Sequence, residues 1–409
     1  MDIQKVNQIF ADTAYVRMGG TEEERKCAEY LASVCEGFGC KAELQPFDVD
    51  MATIRKAVLV VDGVEIPCKG YFCAGSATVE APFYYLSSTD PYSLSQIRGK
   101  IVMIDGYMGT WRYPDLLDNG AVGFITYDGN VNYTDRDIDQ RELRSYVSKG
   151  NKLPGVNINV KDAVELVRGH AKTAKIILEQ DEYTGQSHNV VLELPGEVDE
   201  YITLTAHYDS TSLSQGAYDN MSGSVGIMAI AEYFTTHPHR RGIRMILCGS
   251  EERGLLGSKA YVAQHPEEVE KTVLNINLDM IGSVMGKFIS CVTGEEEKLC
   301  HYLEYFGSEM GFPISSRQDV YSSDSSPFAD AGVPAISFAR LSPPPTGTIH
   351  NSYDTSALLS ADQMLLDIRF ICAFADRMAN AVRMPVKREI PDNMKERLDE
   401  YLGRKRPKN

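Results

Sequence analysis

At 409 residues, 43% of them hydrophobic, the chain is long enough to bury a large core and to form two or three domains. A net charge of −16 argues against a nucleic-acid partner, which selects for basic surfaces. No run reaches the ~18 apolar residues of a membrane span, no basic-then-apolar leader is visible at the start, and nine scattered cysteines read as reduced thiols. A cytoplasmic protein with no membrane partner is expected.

Thr21-Glu-Glu-Glu24 has the form of a capping box, and Cys27, Leu31, Val34 and Phe38 follow at helical spacing until Gly37 and Gly39. This predicts an opening helix of about four turns. An alternating run over 41–49 predicts a strand. From 51 to 183 the texture changes to short apolar runs cut by glycines, at 57–61, 100–104, 122–126 and 175–178, with a helix ending near Gly120. That stretch holds no clustered histidines or acid pairs and reads as an inserted β-rich domain without catalysis of its own. Cys68 and Cys73 lack a second Cys/His pair to complete a metal site.

From 187 onward, strand-like runs at 189–194, 201–206, 243–249, 273–278 and 335–339 alternate with helical patterns at 222–234, 299–310 and 361–382. The alternation predicts an α/β fold with a doubly wound, mostly parallel sheet. The opening helix must pack on that sheet, so the catalytic domain is expected to be discontinuous, 1–50 and 184–385, around the insertion 51–183. Residues 386–409 read as a charged C-terminal tail, either a docked helix at 394–401 or a frayed end, with Arg404-Lys405-Arg406 solvated. Pro343-Pro-Pro345 stiffens the approach to His350.

The chemistry is concentrated between 207 and 350, in the order His207-Tyr-Asp209, Asp219-Asn220, Glu251-Glu252, Asp279 and His350-Asn351. Singly, each admits a bland role: a surface imidazole, a helix cap, a turn former. Together they fall where strand-like runs give way to Gly/Ser-rich turns, and such ends share one rim of a parallel sheet. Two imidazoles and several carboxylates on one rim suit two divalent cations with a shared carboxylate and a water, as in a dinuclear hydrolase. Asp209, two residues past His207, is placed to orient its ring. Of the adjacent acids, one can bind metal while the other acts as a base. No His-Glu-x-x-His, phosphate loop, Gly-x-Ser-x-Gly elbow or dinucleotide fingerprint occurs. His170, His188, His237, His239, His265 and His301 lack an acidic constellation in the sequence and read as surface or packing residues.

These motifs resemble the cocatalytic dizinc aminopeptidases, the family of aminopeptidases S and Y, with glutamate carboxypeptidase II and glutaminyl cyclase as relatives. The resemblance spans about 187 to 380 plus the opening helix and rests on Thr205-Ala-His207-Tyr-Asp209, Asp219-Asn220-Met-Ser222-Gly223, Gly249-Ser-Glu251-Glu252, Asn277-Leu-Asp279 and His350-Asn-Ser-Tyr-Asp354. The insertion is similar to a protease-associated domain through Ile97-Arg-Gly99-Lys100 and Gly120-Ala-Val-Gly123.

The resemblance implies two divalent ions, zinc expected, with Asp219 bridging, His207 and Asp279 on one ion, Glu252 and His350 on the other, and Glu251 as general base. It also implies a cis peptide at Asp219–Asn220 and hydrolysis of short peptides from a free N-terminus. Where the family often has Ser-Asp-His, this chain has Ser323-Asp324-Ser325; nearby Tyr321 is a candidate oxyanion donor. Rival readings are a carboxypeptidase or dipeptidase on the same metal pair, a glutaminyl-cyclase-like enzyme, and a non-catalytic relative of the transferrin-receptor kind.

Overall fold

The computed structural model describes residues 1–344 and 346–407, so Pro345 of the proline-rich approach to His350 lies outside the described residues. The chain divides into two compact units, one formed by Met1–Asp48 with Gln186–Asn409 and the other by Val49–Gly185. No described helix is long and apolar enough to cross a membrane.

The sheet of the first unit runs, in spatial order, Ser315–Gln318, Lys287–Val292, Ala335–Leu341, Thr272–Leu278, Val198–His207, Arg241–Cys248 and the end of Thr173–Leu194. Its four central strands are mutually parallel, whereas Lys287–Val292 and the 190–194 segment join antiparallel to their central neighbours. The sheet is therefore mixed, parallel where chemistry is expected. Apolar residues follow one another along Arg241–Cys248 because both faces are covered. Ile243, Met245 and Leu247 enter one core layer with Val225, Met228 and Phe374, while Ile246 and Cys248 enter another with Tyr261 and Phe328.

The helix Glu22–Glu36 buries Cys27, Ala28, Leu31, Val34 and Cys35 against the first layer. Its start departs from a capping box. Thr21 Oγ1 accepts the Glu24 N–H at 3.3 Å, but Glu24 does not reach back to Thr21; its carboxylate accepts the Gly20 N–H and turns into the protein interior. An earlier helix, Ile3–Asp12, escaped the sequence reading although Asp2 caps it and Val6, Ile9 and Phe10 form its buried stripe. Two strands are far longer than the short runs suggested: Ala42–Val61 fuses the runs at 41–49 and 57–61, and Thr173–Leu194 those at 175–178 and 189–194. The chain passes between the units within these two strands.

Of the two readings of the tail, a docked helix or a frayed end, the structure has the docked helix, and the segment belongs to the first unit. Helix Asp392–Tyr401 buries Met394 and Leu398 beside Ala329, Ala335 and Ile390. Arg404 is exposed, as expected, and forms surface pairs with Asp330 at 2.5 Å and Asp399 at 2.7 Å.

The second unit is less purely β-rich than its sequence texture. Strands Ala77–Tyr85, Ile101–Asp105, Gly123–Asp128 and Gly155–Asn159 lie parallel in succession, and helices Arg112–Asp118 and Val160–Arg168 are interspersed among them. Its own core includes Tyr71, Ile101, Phe124, Val156 and Ile176.

At its two chain ends the second unit is tightly apposed. A Cβ added at Gly185 would stand 2.6 Å from Met51 Cγ and 3.7 Å from Val49 Cγ2. Excising 49–185 and joining Asp48 to Gln186 through a few glycines should therefore leave the first unit folded. Circular dichroism and a single cooperative thermal transition would verify this; a chain lacking such a transition would show that the first unit depends on the second.

Candidate metal centre

Parallel strands present their carboxyl ends on one rim. His207 ends Val198–His207, Ser250-Glu251-Glu252 follow Arg241–Cys248, Asp279 follows Thr272–Leu278, and His350 lies in the segment after Ala335–Leu341. Asp219 arrives differently, from the irregular turn Ala217–Met221 that leads into helix Ser222–Thr236. Two glycines let this helix approach closely: a Cβ at Gly223 would sit 2.2 Å from the Leu278 carbonyl oxygen, and one at Gly226 would sit 2.6 Å from Leu278 Cδ2. Asn220 staples the contact, donating to the Leu278 carbonyl at 2.9 Å and accepting the Gly223 and Met280 N–H groups at 2.9 and 3.0 Å. The Asp219–Asn220 peptide is cis. Asp219 and Asp279 thus belong to backbone segments joined by Asn220.

Two donor groups result, His207 with Asp219 and Asp279, and Asp219 with Glu252 and His350, so that Asp219 is common to both. His207 Nε2 lies 3.2 Å from Asp219 Oδ1 and 3.9 Å from Asp279 Oδ1, and His350 Nε2 lies 3.0 Å from Asp219 Oδ2 and 3.1 Å from Glu252 Oε2. A tetrahedral zinc with ligand bonds near 2.0 Å holds its donor atoms about 3.3 Å apart, so these separations suit such ions. Asp279 Oδ1 is buried without a hydrogen-bond donor, which a cation would satisfy. The donor set fits two divalent ions. Glu251 belongs to neither group, although its Oε2 comes within 3.9 Å of His207 Nε2.

The electrostatics express the same crowding. Burial would lower His207, but Glu251, Asp209, Asp219 and Asp279 outweigh it and hold the imidazolium well above its ordinary range. Burial opposes protonation of His350 too, and Glu252 and Asp219 reverse it strongly. Asp219, despite burial, is held well below the usual carboxylate range by the two imidazoles. Burial and then the Asp219 charge push Asp279 up to about 7. Burial, with Glu252 and Asp324 adding to it, drives Glu251 well above the ordinary carboxyl range.

The orientation of His207 expected of Asp209 is not secured by a formed hydrogen bond in the structure. Asp209 Oδ1 is 3.4 Å from His207 Nδ1, a long contact. Asp209 accepts the N–H groups of Glu251 and Glu252 at 2.9 and 3.2 Å, tying one ligand-bearing loop to another. Sequence reasoning missed two similar supports. Asp354 accepts the N–H groups of Tyr218 and Asp219 at 2.8 and 3.2 Å, although its place in His350-Asn-Ser-Tyr-Asp354 was a signal. Arg17, fully buried, donates to the carbonyls of Tyr208, Gln215 and Gly216. Tyr321 places its hydroxyl 3.4 Å from the Asp279 carbonyl. Ser325, where the family often has His, is buried against Ser337 Oγ at 2.7 Å, and Asp324 accepts from Ser258 Oγ at 2.6 Å. The six other histidines lie outside both donor groups; His237 stacks on Tyr233 and His265 on Tyr261.

Residues 189–373 match the model of Peptidase family M28. Aminopeptidase YwaD of Bacillus subtilis strain 168 is 28% identical over 344 residues, 79% of this chain and 71% of that protein. Leucine aminopeptidase 2 of Trichophyton rubrum is 41% identical over a shorter stretch of 97 residues, 23% of this chain and 20% of that protein. Among solved structures, the zinc aminopeptidase BSAP from Bacillus subtilis has the same fold, with a TM-score of 0.76 at 23% identity over 96% of this chain and 97% of that one.

Metal loading would displace protons, because Asp279 is raised to about 7 and the surrounding acids raise the proton affinity of both imidazoles. The metal-free protein binds more protons as pH falls, so zinc affinity should rise from about pH 6 to 8, roughly tenfold per pH unit for each proton displaced. Calorimetric zinc titration in buffers of different ionisation enthalpy measures both quantities. An affinity independent of pH would contradict this coupling of acids and imidazoles.

Proposed function

We propose that this chain, whose residues 189–373 match the model of Peptidase family M28, is an aminopeptidase working with two divalent ions, zinc in both positions. The observation that carries the reading is the sharing of Asp219 by two donor groups, with a further carboxylate, Glu251, beside them and outside both. His207 and Asp279 would hold one ion, Glu252 and His350 the other, and Asp219 both. Bound there, such a pair supplies Lewis acidity that polarises the scissile carbonyl and makes water acidic enough to lose a proton near neutral pH.

Glu251 accepts the proton from the attacking water at a carboxylate oxygen. As the carbon–oxygen bond forms and the carbon–nitrogen bond breaks, it returns that proton to the nitrogen of the leaving amine. Burial and the neighbouring acids raise its proton affinity above that of an ordinary carboxylate, the direction a base requires. Asp209 fixes the backbone from which Glu251 and Glu252 project. Tyr321, its hydroxyl beside Asp279, is the proposed donor to the oxyanion. Substrates are short peptides with a free N-terminus. For unit 49–185 the protease-associated reading rests on the Ile97–Lys100 and Gly120–Gly123 motifs. Nine free cysteines support a reducing compartment, the cytoplasm.

Glu251→Gln should keep both metals while kcat falls by roughly 10²–10⁴, the scale of a lost general base. Glu252→Gln should lower occupancy of one metal, and Tyr321→Phe should lower kcat by about 10² with metals retained. Elemental analysis of each variant, with initial rates on a peptide having a free N-terminus and on its N-acetylated form, separates these effects. A site emptied by the change at 251 but not at 252 would reverse the two roles. Cleavage of the acetylated peptide at the same rate would refute the N-terminal preference.

A further inference from the structure

Glu24 lies on the buried stripe of helix Glu22–Glu36, three, four and seven residues before Cys27, Ala28 and Leu31, and is fully inaccessible. A carboxylate on an apolar face is costly unless its oxygens are occupied. Here they accept four hydrogen bonds, none from a cation. Oε2 takes the Gly20 N–H at 2.6 Å, while Oε1 takes Ser187 Oγ at 2.7 Å, the Ser250 N–H at 2.9 Å and Ser250 Oγ at 3.1 Å.

Ser250 immediately precedes the two acids. Its φ of +52° lies in the left-handed region, disfavoured for a residue with a β-carbon. Such conformations persist where the surroundings over-determine them. Both Ser250 donors end on Glu24 Oε1, and the turn lies flat on that carboxylate: a Cβ at Gly249 would sit 2.8 Å from Glu24 Oε1. Three consecutive backbone amides, those of Ser250, Glu251 and Glu252, therefore donate to two buried carboxylates, the first to Glu24 and the others to Asp209.

We propose that Glu24 is a positioning residue for the general base: by holding Ser250 in the left-handed conformation it sets the direction in which Glu251 leaves the strand. This rests on the assignment of Glu251 as base. Glu24 touches no reacting atom. Its effect on turnover runs through the backbone, and a displacement of Glu251 on the order of 1 Å suffices to lower turnover by about 10².

The test uses the full-length, zinc-loaded protein and the variants Glu24→Gln, Ser250→Gly and their double, each assayed for metal content, thermal midpoint, kcat and KM. Glu24→Gln should retain both metals and lower kcat at least about tenfold per folded, metal-loaded molecule, with KM changed less than about threefold. Glycine adopts positive φ at no steric cost, so Ser250→Gly should recover most of that kcat in the Glu24→Gln background. An unchanged kcat per folded molecule in Glu24→Gln would reduce Glu24 to a stability residue and overturn the proposal. So would recovery of the thermal midpoint without recovery of kcat. If Glu24→Gln alone does not fold, the double variant is compared with Ser250→Gly. A small further loss of kcat supports the proposal, whereas a tenfold loss, or failure of the double to fold, rejects it. Glu251→Gln is assayed in parallel. If it retains full turnover, the base assignment fails and the Glu24 proposal with it; if it loses turnover while Glu24→Gln does not, only the Glu24 proposal fails.

Discussion

Repulsion among buried carboxylates is the constraint that the rest of the catalytic unit answers. Asp219, Glu251, Glu252 and Asp279 converge on two imidazoles at separations of 3.0–3.9 Å. Two like charges about 4 Å apart repel by ~4 kcal/mol at an effective dielectric near 20. Even one such pair is a large fraction of the whole stability of a domain, about 5–15 kcal/mol, and Asp219 lies within 4.8 Å of both Asp279 and Glu252. The protein alone relieves part of this by keeping protons on Asp279 and on both imidazoles. Divalent ions bound there would relieve more of it, so that metal affinity, protonation and the shape of this rim would form one linked equilibrium.

A second ring of acids holds the first in place through the backbone. Glu24, Asp209 and Asp354 each accept main-chain N–H groups from the loops that carry Glu251, Glu252 and Asp219. Arg17 does the complementary work on carbonyls of the loops after His207 and before Asp219. Where the acceptor is ionised or the donor is a guanidinium, as with Arg17, such bonds are roughly twice as strong as neutral ones. They also locate the strain. Among the described residues of the first unit, the non-glycine positions with positive φ are Ser250, Leu255, Met280 and His350, all in or beside loops bearing a proposed ligand or the base.

Beneath the loops, the apolar layers supply rigidity. Parallel strands sandwiched between helices leave little freedom at their carboxyl ends, and Gly223 and Gly226 bring the helix after Asp219 into direct contact with the strand that ends at Asp279. The close approach makes the shared carboxylate possible, because one side chain must face both groups of ligands at once.

The proposed ligands were legible because each is an acid or imidazole at or near the end of an apolar run, and strand periodicity is a local property that a sequence displays directly. The parallel central sheet followed from the alternation of strand and helix patterns. Tertiary structure decided the rest. The runs at 175–178 and 189–194 looked separate because of the polar, glycine-containing stretch between them, yet pairing with different partners made them one strand. The charged tail docked because Met394 and Leu398 found a small apolar cluster. Glu24 looked like a cap; its partners Ser187 and Ser250 lie 163 and 226 residues away. Local spacing encodes which side of an element is apolar, and so it encoded the rim and its chemistry. It does not encode which distant amide a buried carboxylate meets, because packing of the whole unit sets that pairing.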